Sequence, residues 1–376
     1  VKAATTDVAI IGGGVIGTSA AAFLAEGGRS VTLFERAEIA AGASGRNSGV
    51  IQHPFDLVFA ELHYESLALY REPSLESDGF ALPDQPPGLL MLSFDGDAVA
   101  EAAAAINAST PDLGPAVLSP QAIAELEPGL AAGLWACRLE TGYPVVPAAA
   151  TWAFARRAER VGAKLVTGTA AEPVIDGDRA VGVRLDTGET LSCEQVLVSA
   201  GPWTPPLVPG WADDPPIRAL WGIVVGTSLP NPPRHVVEEL GIDRPGLTPE
   251  RLFSLVTAGG MSSVGSTFLA DEPDAQSFAA DLLNRGATFV PALAGGRAKS
   301  VRACARPVSF DGRPLIGPVP GIKGLYVCAG HGPWGISTGP ASALLAVRQM
   351  LGLIPERWEF SPARMTSREI VNTEFA

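Results

Sequence analysis

Three glycines and one acid carry the first chemistry in this sequence: Gly12, Gly14 and Gly17 in the spacing G-x-G-x-x-G, and Glu35 further on. Val8-Ala9-Ile10-Ile11, an apolar run fit for a buried strand, precedes Gly12 with no spacer. Gly12 permits a tight turn, Gly14 lets backbone approach a pyrophosphate, and Gly17 lets a helix pack close to the sheet. The phosphates would rest on the free N–H groups and positive end of a helix predicted over 15–26, beginning with Val15 and Ile16. Gly27-Gly28 stops that helix, a second strand is predicted over 30–34, and Glu35 ends it, where a carboxylate accepts hydrogen bonds from both hydroxyls of an adenosine ribose. Arg36, next in sequence, joins these candidates. An acid in this place suits an unphosphorylated ribose, so FAD or NAD is favoured over NADP. The competing reading of 8–25 as a secretory signal or membrane span is opposed by its glycines and by a flank with only Lys2 as positive charge.

Two further stretches could do chemistry. Arg302, Cys304 and Arg306 alternate along a predicted strand over 301–308 and share one face, with Val301, Ala303 and Ala305 on the other. His331-Gly332-Pro333-Trp334-Gly335 is a loop after an apolar strand at 325–330, and Gly339-Pro340 is expected to open a helix running to 351. The four histidines show no metal-ligand spacing, so no metal site is expected.

The elements that must position these residues follow from the chain's composition and order. At 376 residues, 47% hydrophobic and 18% charged, the chain has the balance of a globular protein with room for two domains. A net charge of −13 argues against nucleic acid or an anionic membrane surface as a general partner. Four widely spaced cysteines without a CxxC pair suggest neither metal cage nor disulfide framework, so a reducing, cytoplasmic setting is the expectation. Residues 41–50, AGASGRNSGV, read as a small-residue loop of the kind that brings backbone close to a ligand. A helix follows over 57–72, ended by Pro73, and a domain boundary is placed near Phe80. Helix 148–161 leads into a meander over 164–199, whose last strand ends at Ala200-Gly201, where ligands gather at strand C-termini. Residues 217–308 read mostly as strands, a largely antiparallel second domain.

Taken together, the first glycine unit, the GASGRNSGV loop, the Ala200-Gly201-Pro202-Trp203 turn, Arg306-Pro307 before Asp311-Gly312, and Gly330-His331-Gly332 with the terminal helix resemble the D-amino acid oxidase superfamily of FAD enzymes. That group includes glycine oxidase, sarcosine oxidase and the D-amino acid dehydrogenases. The resemblance implies an α/β plus α+β fold: a Rossmann-type FAD-binding domain (1–80, 140–216 and 305–376) and a largely antiparallel β-sheet substrate domain (81–139 and 217–304). It implies oxidation of the C–N bond of a small or N-substituted amino acid by hydride transfer to flavin N5. A carboxylate-bearing amine would be the substrate, dioxygen or another acceptor would take the electrons, and no membrane span is expected.

The resemblance also distributes roles. It puts Gly12, Gly14 and Gly17 on the FAD pyrophosphate and Glu35 on the ribose. Ala43, Ser44, Arg46, Asn47, Ser48 and Gly49 would lie along the flavin, and Ala171, Ala200, Gly201 and Trp203 on the adenine and linker side. Gly332, Pro333, Gly335, Ile336, Ser337 and Thr338 would sit beside the flavin pyrimidine. Arg306 matches the arginine that binds the substrate carboxylate in glycine oxidase and D-amino acid oxidase; a structural ion pair at a strand end is its bland alternative. His331 and Trp334 either line the substrate pocket or, for His331, cap the loop. Cys304 precedes Asp311 by seven residues, as does the flavin-linked cysteine of monomeric sarcosine oxidases. A thiolate favoured by Arg302 and Arg306 is expected under that reading, and a packed strand cysteine under the other. The run 47–51 also resembles L-2-hydroxyglutarate oxidases, which keeps a 2-hydroxy acid oxidase as an alternative; a nicotinamide dehydrogenase and a flavin-binding electron-transfer subunit are the others.

Overall fold

The computed structural model describes residues 5–242 and 251–365; the expected outer domain limits at 1 and 376 lie outside the described residues. Strand Thr5–Ile11 pairs in parallel with Val31–Glu35 on one side and Thr190–Val198 on the other. Lys164–Thr167 extends this sheet beside Val31–Glu35, Leu325–Ala329 extends it beside Thr190–Val198, and Leu315–Pro318 closes that edge antiparallel. Successive side chains alternate between faces, so Val8, Ile10 and Leu33 enter one core while Ala9, Ile11 and Phe34 enter another. Helices Val15–Glu26, Ala149–Arg160 and Gly335–Met350 bury their small and apolar residues in the first of these cores. Arg157, itself buried, joins two of these elements by reaching Glu26 at 2.7 Å and Glu72 at 2.6 Å.

The second sheet runs in the order Ser300–Ser309, Ile217–Thr227, Met261–Thr267, Arg251–Ala258, Val236–Glu239, Leu89–Ser93, Trp135–Leu139, Ala116–Leu118. Among the described residues its pairings are antiparallel except Val236–Glu239 with Leu89–Ser93. Helix Ala279–Ala287 packs Leu282 and Leu283 into its core, where Phe253 and Phe289 stack with ring centroids 4.8 Å apart.

Several expectations are corrected. The segment over 164–199 is not one meander, because Lys164–Thr167 joins the parallel sheet while Ala171–Asp176, Arg179–Leu185 and Thr190–Val198 form the antiparallel ribbon. Strand Ser300–Ser309 runs unbroken across 304/305, and its pairing to Ile217–Thr227 continues through residue 309. The small-residue loop contains a helical turn, Ala43–Arg46. Pro73 does not merely end a helix but opens a short one, Pro73–Ser77, where its missing N–H costs nothing. The terminal helix starts at Gly335, four residues before the expected Gly339, and holds Pro340 inside it.

Candidate active site

Gly12 sits at φ +115°, open to glycine alone, and turns the chain from the first strand into the first helix. A side chain at Gly17 would run into the Gly12 carbonyl, so the glycine there lets the helix close over the turn. Gly14 is the N-cap and offers no capping side chain; Ser44 reaches across instead, its Oγ accepting from Val15 N–H at 3.0 Å. Glu35 is aimed by two backbone donors, Gly13 N–H at 2.7 Å and Ala37 N–H at 2.9 Å. Each carboxylate oxygen keeps lone-pair capacity for a ribose hydroxyl.

This turn opens onto a cavity of about 2170 Å³ lined by both sheets. Small-ligand pockets hold about 300–1,000 Å³, so the space suits a dinucleotide and a substrate together. Gly12, Gly14, Val15, Ile16, Glu35 and Arg36 line it at one end; Ala171, Ala200, Gly201 and Trp203 stand there too, with the Arg36 guanidinium 4.1 Å from the Trp203 ring centre. Ala43, Ser44, Arg46, Asn47 and Ser48 line it as well, and Gly332, Pro333, Trp334, Gly335, Ile336 and Ser337 bring in the terminal helix. Gly17, Gly49 and Thr338 stand outside the lining. Gly49 turns the loop at φ +88°, and the Thr338 hydroxyl donates to the Trp334 carbonyl at 2.9 Å.

The loop over 41–50 is held by its own polar side chains. Asn47 Nδ2 donates to the Ala43 and Ser44 carbonyls at 3.0 and 2.8 Å, and Arg46 Nε donates to the Ala41 carbonyl at 2.7 Å. Arg302 then ties the loop to the second sheet, donating to the Arg46 carbonyl at 3.1 Å and to the Asn47 carbonyl and Ser263 Oγ, both at 2.9 Å.

Arg306 projects into the cavity from the same strand. It donates to the Thr267 carbonyl at 2.9 Å and Ser266 Oγ at 2.5 Å, and lies 4.9 Å from the Phe268 ring centre. Among the described residues no carboxylate forms an ion pair with it. Burial lowers its pKa from the ordinary arginine value. The neighbouring strand makes room, because a Cβ at Gly222 would overlap the guanidinium.

Cys304 lines the cavity beside it and is 3% exposed. Burial pushes its thiol above the ordinary value despite Arg306, Arg302 and Arg46 pulling the other way. The expected lowering by arginines is thus overturned: desolvation exceeds three partly screened charges. His331 is fully buried at the cavity wall, its pKa lowered by burial to about 3, and neither ring nitrogen has a hydrogen-bond partner among the described residues. It does not cap the loop. Orphaned buried nitrogens at a cavity wall fit a polar group that arrives with a ligand.

Reading the sequence alone missed Gly222, Ser266, Phe268, Gln52, Glu238 and Arg364, all of which bear on this cavity. Gln52 Nε2 reaches the Glu238 carboxylate at 3.3 Å. Arg364 grips Asp311 at 2.8 Å, which fixes the turn after the Arg306 strand. Only Gly222 left a signal, since a glycine inside an apolar strand marks a close approach. His53 and His63 pack against each other, ring centres 5.6 Å apart, outside the cavity lining.

The FAD dependent oxidoreductase (DAO) family model matches residues 7–349. Glycine oxidase of Pseudomonas aeruginosa is 28% identical over 363 residues, spanning 93% of this chain and 95% of that protein. D-amino acid dehydrogenase of Cereibacter sphaeroides is 28% identical over 211 residues, 55% of this chain and 46% of that protein. The solved glycine oxidase of Bacillus cereus superposes with a TM-score of 0.81 at 27% identity, covering 93% of this chain and 96% of that one. No helix among the described residues is long and apolar enough to cross a membrane. With its glycine turn, its two-sheet cavity and a match over nearly its whole length, the chain belongs to the DAO family of FAD-dependent oxidoreductases.

Proposed function

We propose that this enzyme oxidises the C–N bond of a small amino acid or N-substituted amino acid whose carboxylate is held by Arg306. The observation that carries this is a half-buried guanidinium, without a carboxylate partner among the described residues, in the same cavity as the glycine turn. A planar two-pronged cation matches a planar anion, and partial removal from water strengthens the pairing. Bound FAD supplies a hydride acceptor at N5. Arg306 fixes the substrate so that its Cα–H bond is presented; that bond breaks with both electrons while the amine nitrogen's lone pair forms C=N, and water then hydrolyses the imine to an oxo acid and an amine or ammonia. The N–H groups at Gly335, Ile336 and Ser337 and the helix dipole behind them favour negative charge at that end of the cavity. Dioxygen or another acceptor removes the electrons.

The same reading assigns Gly12, Gly14 and Glu35 to the pyrophosphate and ribose, the first sheet with its helices to an FAD-binding domain and the second to a substrate domain. It takes the flavin as noncovalent, a reading supported by the burial of Cys304, which raises its thiol above the ordinary value. Four free cysteines support a reducing cytoplasmic setting. Oxidation of a 2-hydroxy acid is the second reading, favoured by His331, a neutral buried imidazole with lone-pair capacity to accept a hydroxyl proton.

The purified protein should be yellow, and acid precipitation should leave the colour in the supernatant. Arg306→Ala should keep its flavin and lose about 2 to 5 kcal/mol in kcat/KM with a carboxylate substrate. Unchanged kinetics would end the assignment, and anaerobic bleaching by hydroxy acids but not amines would select the second reading.

A further inference from the structure

Pro340 is the sixth residue of the Gly335–Met350 helix. Proline has no N–H, so the carbonyl four residues earlier, Ile336, loses the bond an interior helical carbonyl receives, and the ring crowds that turn. The Ile336 carbonyl is nevertheless satisfied: the Tyr70 hydroxyl donates to it at 2.7 Å. The next carbonyl, Ser337, accepts from His63 Nδ1 at 3.3 Å, and Ala341 N–H, just past the proline, donates to Ser66 Oγ at 3.1 Å.

His63, Ser66 and Tyr70 follow one another at steps of three and four in helix Leu57–Tyr70, which puts them on one face. All three are buried. The carbonyl acceptor fixes the His63 tautomer with hydrogen on Nδ1, and burial lowers its pKa to about 4, so the ring is neutral at pH 7. Burial raises the Tyr70 pKa well above its ordinary value, which keeps the hydroxyl a donor. None of the three lines the cavity, but Ile336 and Ser337, whose carbonyls Tyr70 and His63 hold, do. Beside them at the same wall is His331, neither of whose nitrogens has a partner among the described residues, an independent sign that a polar ligand group meets this end of the helix.

We propose that Tyr70, His63 and Ser66 are positioning residues for the flavin: they hold the first turns of the terminal helix, interrupted at Pro340, in the direction that presents its positive end to the flavin pyrimidine. The proposal rests on the flavin placement given above. An uninterrupted helix aims its first turn through its own hydrogen-bond ladder; here side chains from a distant helix replace the missing rung, so the aim depends on them.

Sulfite reads this directly, because it adds at flavin N5 and leaves negative charge at the pyrimidine, so its affinity reports how well that charge is held. The wild-type holoenzyme is compared with Tyr70→Phe, Ser66→Ala, His63→Ala and His63→Asn for FAD content, sulfite dissociation constant and flavin midpoint potential. Tyr70→Phe should keep its flavin and weaken sulfite binding by roughly threefold to tenfold, with a more negative potential. His63→Asn, which restores an N–H at the Nδ1 position, should recover what His63→Ala loses. If Tyr70→Phe does not fold, Ser66→Ala carries the same test. Flavin-loaded variants whose sulfite affinity and potential stay within about twofold of wild type would overturn the proposal and leave the three residues as packing alone. A wild-type protein that takes up no flavin would overturn both this proposal and the function it rests on.

Discussion

Arg306 occupies the cavity wall because Gly222, on the facing strand, has no side chain to exclude it. The guanidinium is pinned at the other side by the Thr267 carbonyl and Ser266 Oγ, so it cannot retreat without giving up those bonds. Gly222→Ala should therefore leave the flavin spectrum intact and reduce kcat/KM by about 1 to 3 kcal/mol, chiefly through KM. Steady-state kinetics with unaltered KM would show that the Arg306 side chain has room to move. Arg306 itself was legible in the sequence from its motif and strand face, whereas its holders were not. Ser266 and Phe268 lie about forty residues away, and only the antiparallel neighbours Ile217–Thr227 and Met261–Thr267 bring them alongside. Cys304 shows the same limit from the other direction: sequence spacing revealed the arginines that would lower its pKa, but not the burial that outweighs them.

At the scale of elements, the glycine turn, its helix and both flanking strands were legible because strand, turn, helix and stop signals are all local. The terminal helix was misplaced because Gly339-Pro340 looks like a start; what lets helix precede the proline is a hydroxyl from Tyr70, which no local pattern reports. The loop over 41–50 behaves similarly. Its composition announced a ligand loop, yet Arg302, which holds the Arg46 and Asn47 carbonyls, belongs to the second sheet. Arg302→Ala removes three hydrogen bonds from that junction and should weaken FAD binding by about 1 to 3 kcal/mol. Titration of the apoprotein with FAD checks this, and an unchanged dissociation constant would mean that the loop's own Asn47 bonds suffice.

For the whole molecule, three buried histidines set a direction of pH dependence. Burial lowers His53 and His63 from 6.5 to about 4 and His331 from 6.5 to about 3. As pH falls below 6.5 the unfolded chain takes up protons that the folded chain refuses, so each histidine costs about 1.4 kcal/mol of stability per pH unit until its folded value is reached. Thermal unfolding should move steadily to lower temperature from pH 6.5 toward 4, and His331→Asn should flatten the slope; a level profile over that range would contradict the neutral assignments. One more consequence lies in the strand Ser300–Ser309, which carries Arg302 and Arg306 on one face. Four residues of extended chain span about 13 Å, a length set by covalent geometry. The strand is thus a gauge rod with the glycine-rich loop over 41–50 clamped at one mark and Arg306, the proposed substrate anchor, at the other. The two sheets can breathe about each other without changing that separation, and a single residue inserted between the marks would turn one clamp to the opposite side of the rod. A change of preferred substrate therefore has to come from the walls facing the rod, since the rod itself cannot be regraduated in small steps.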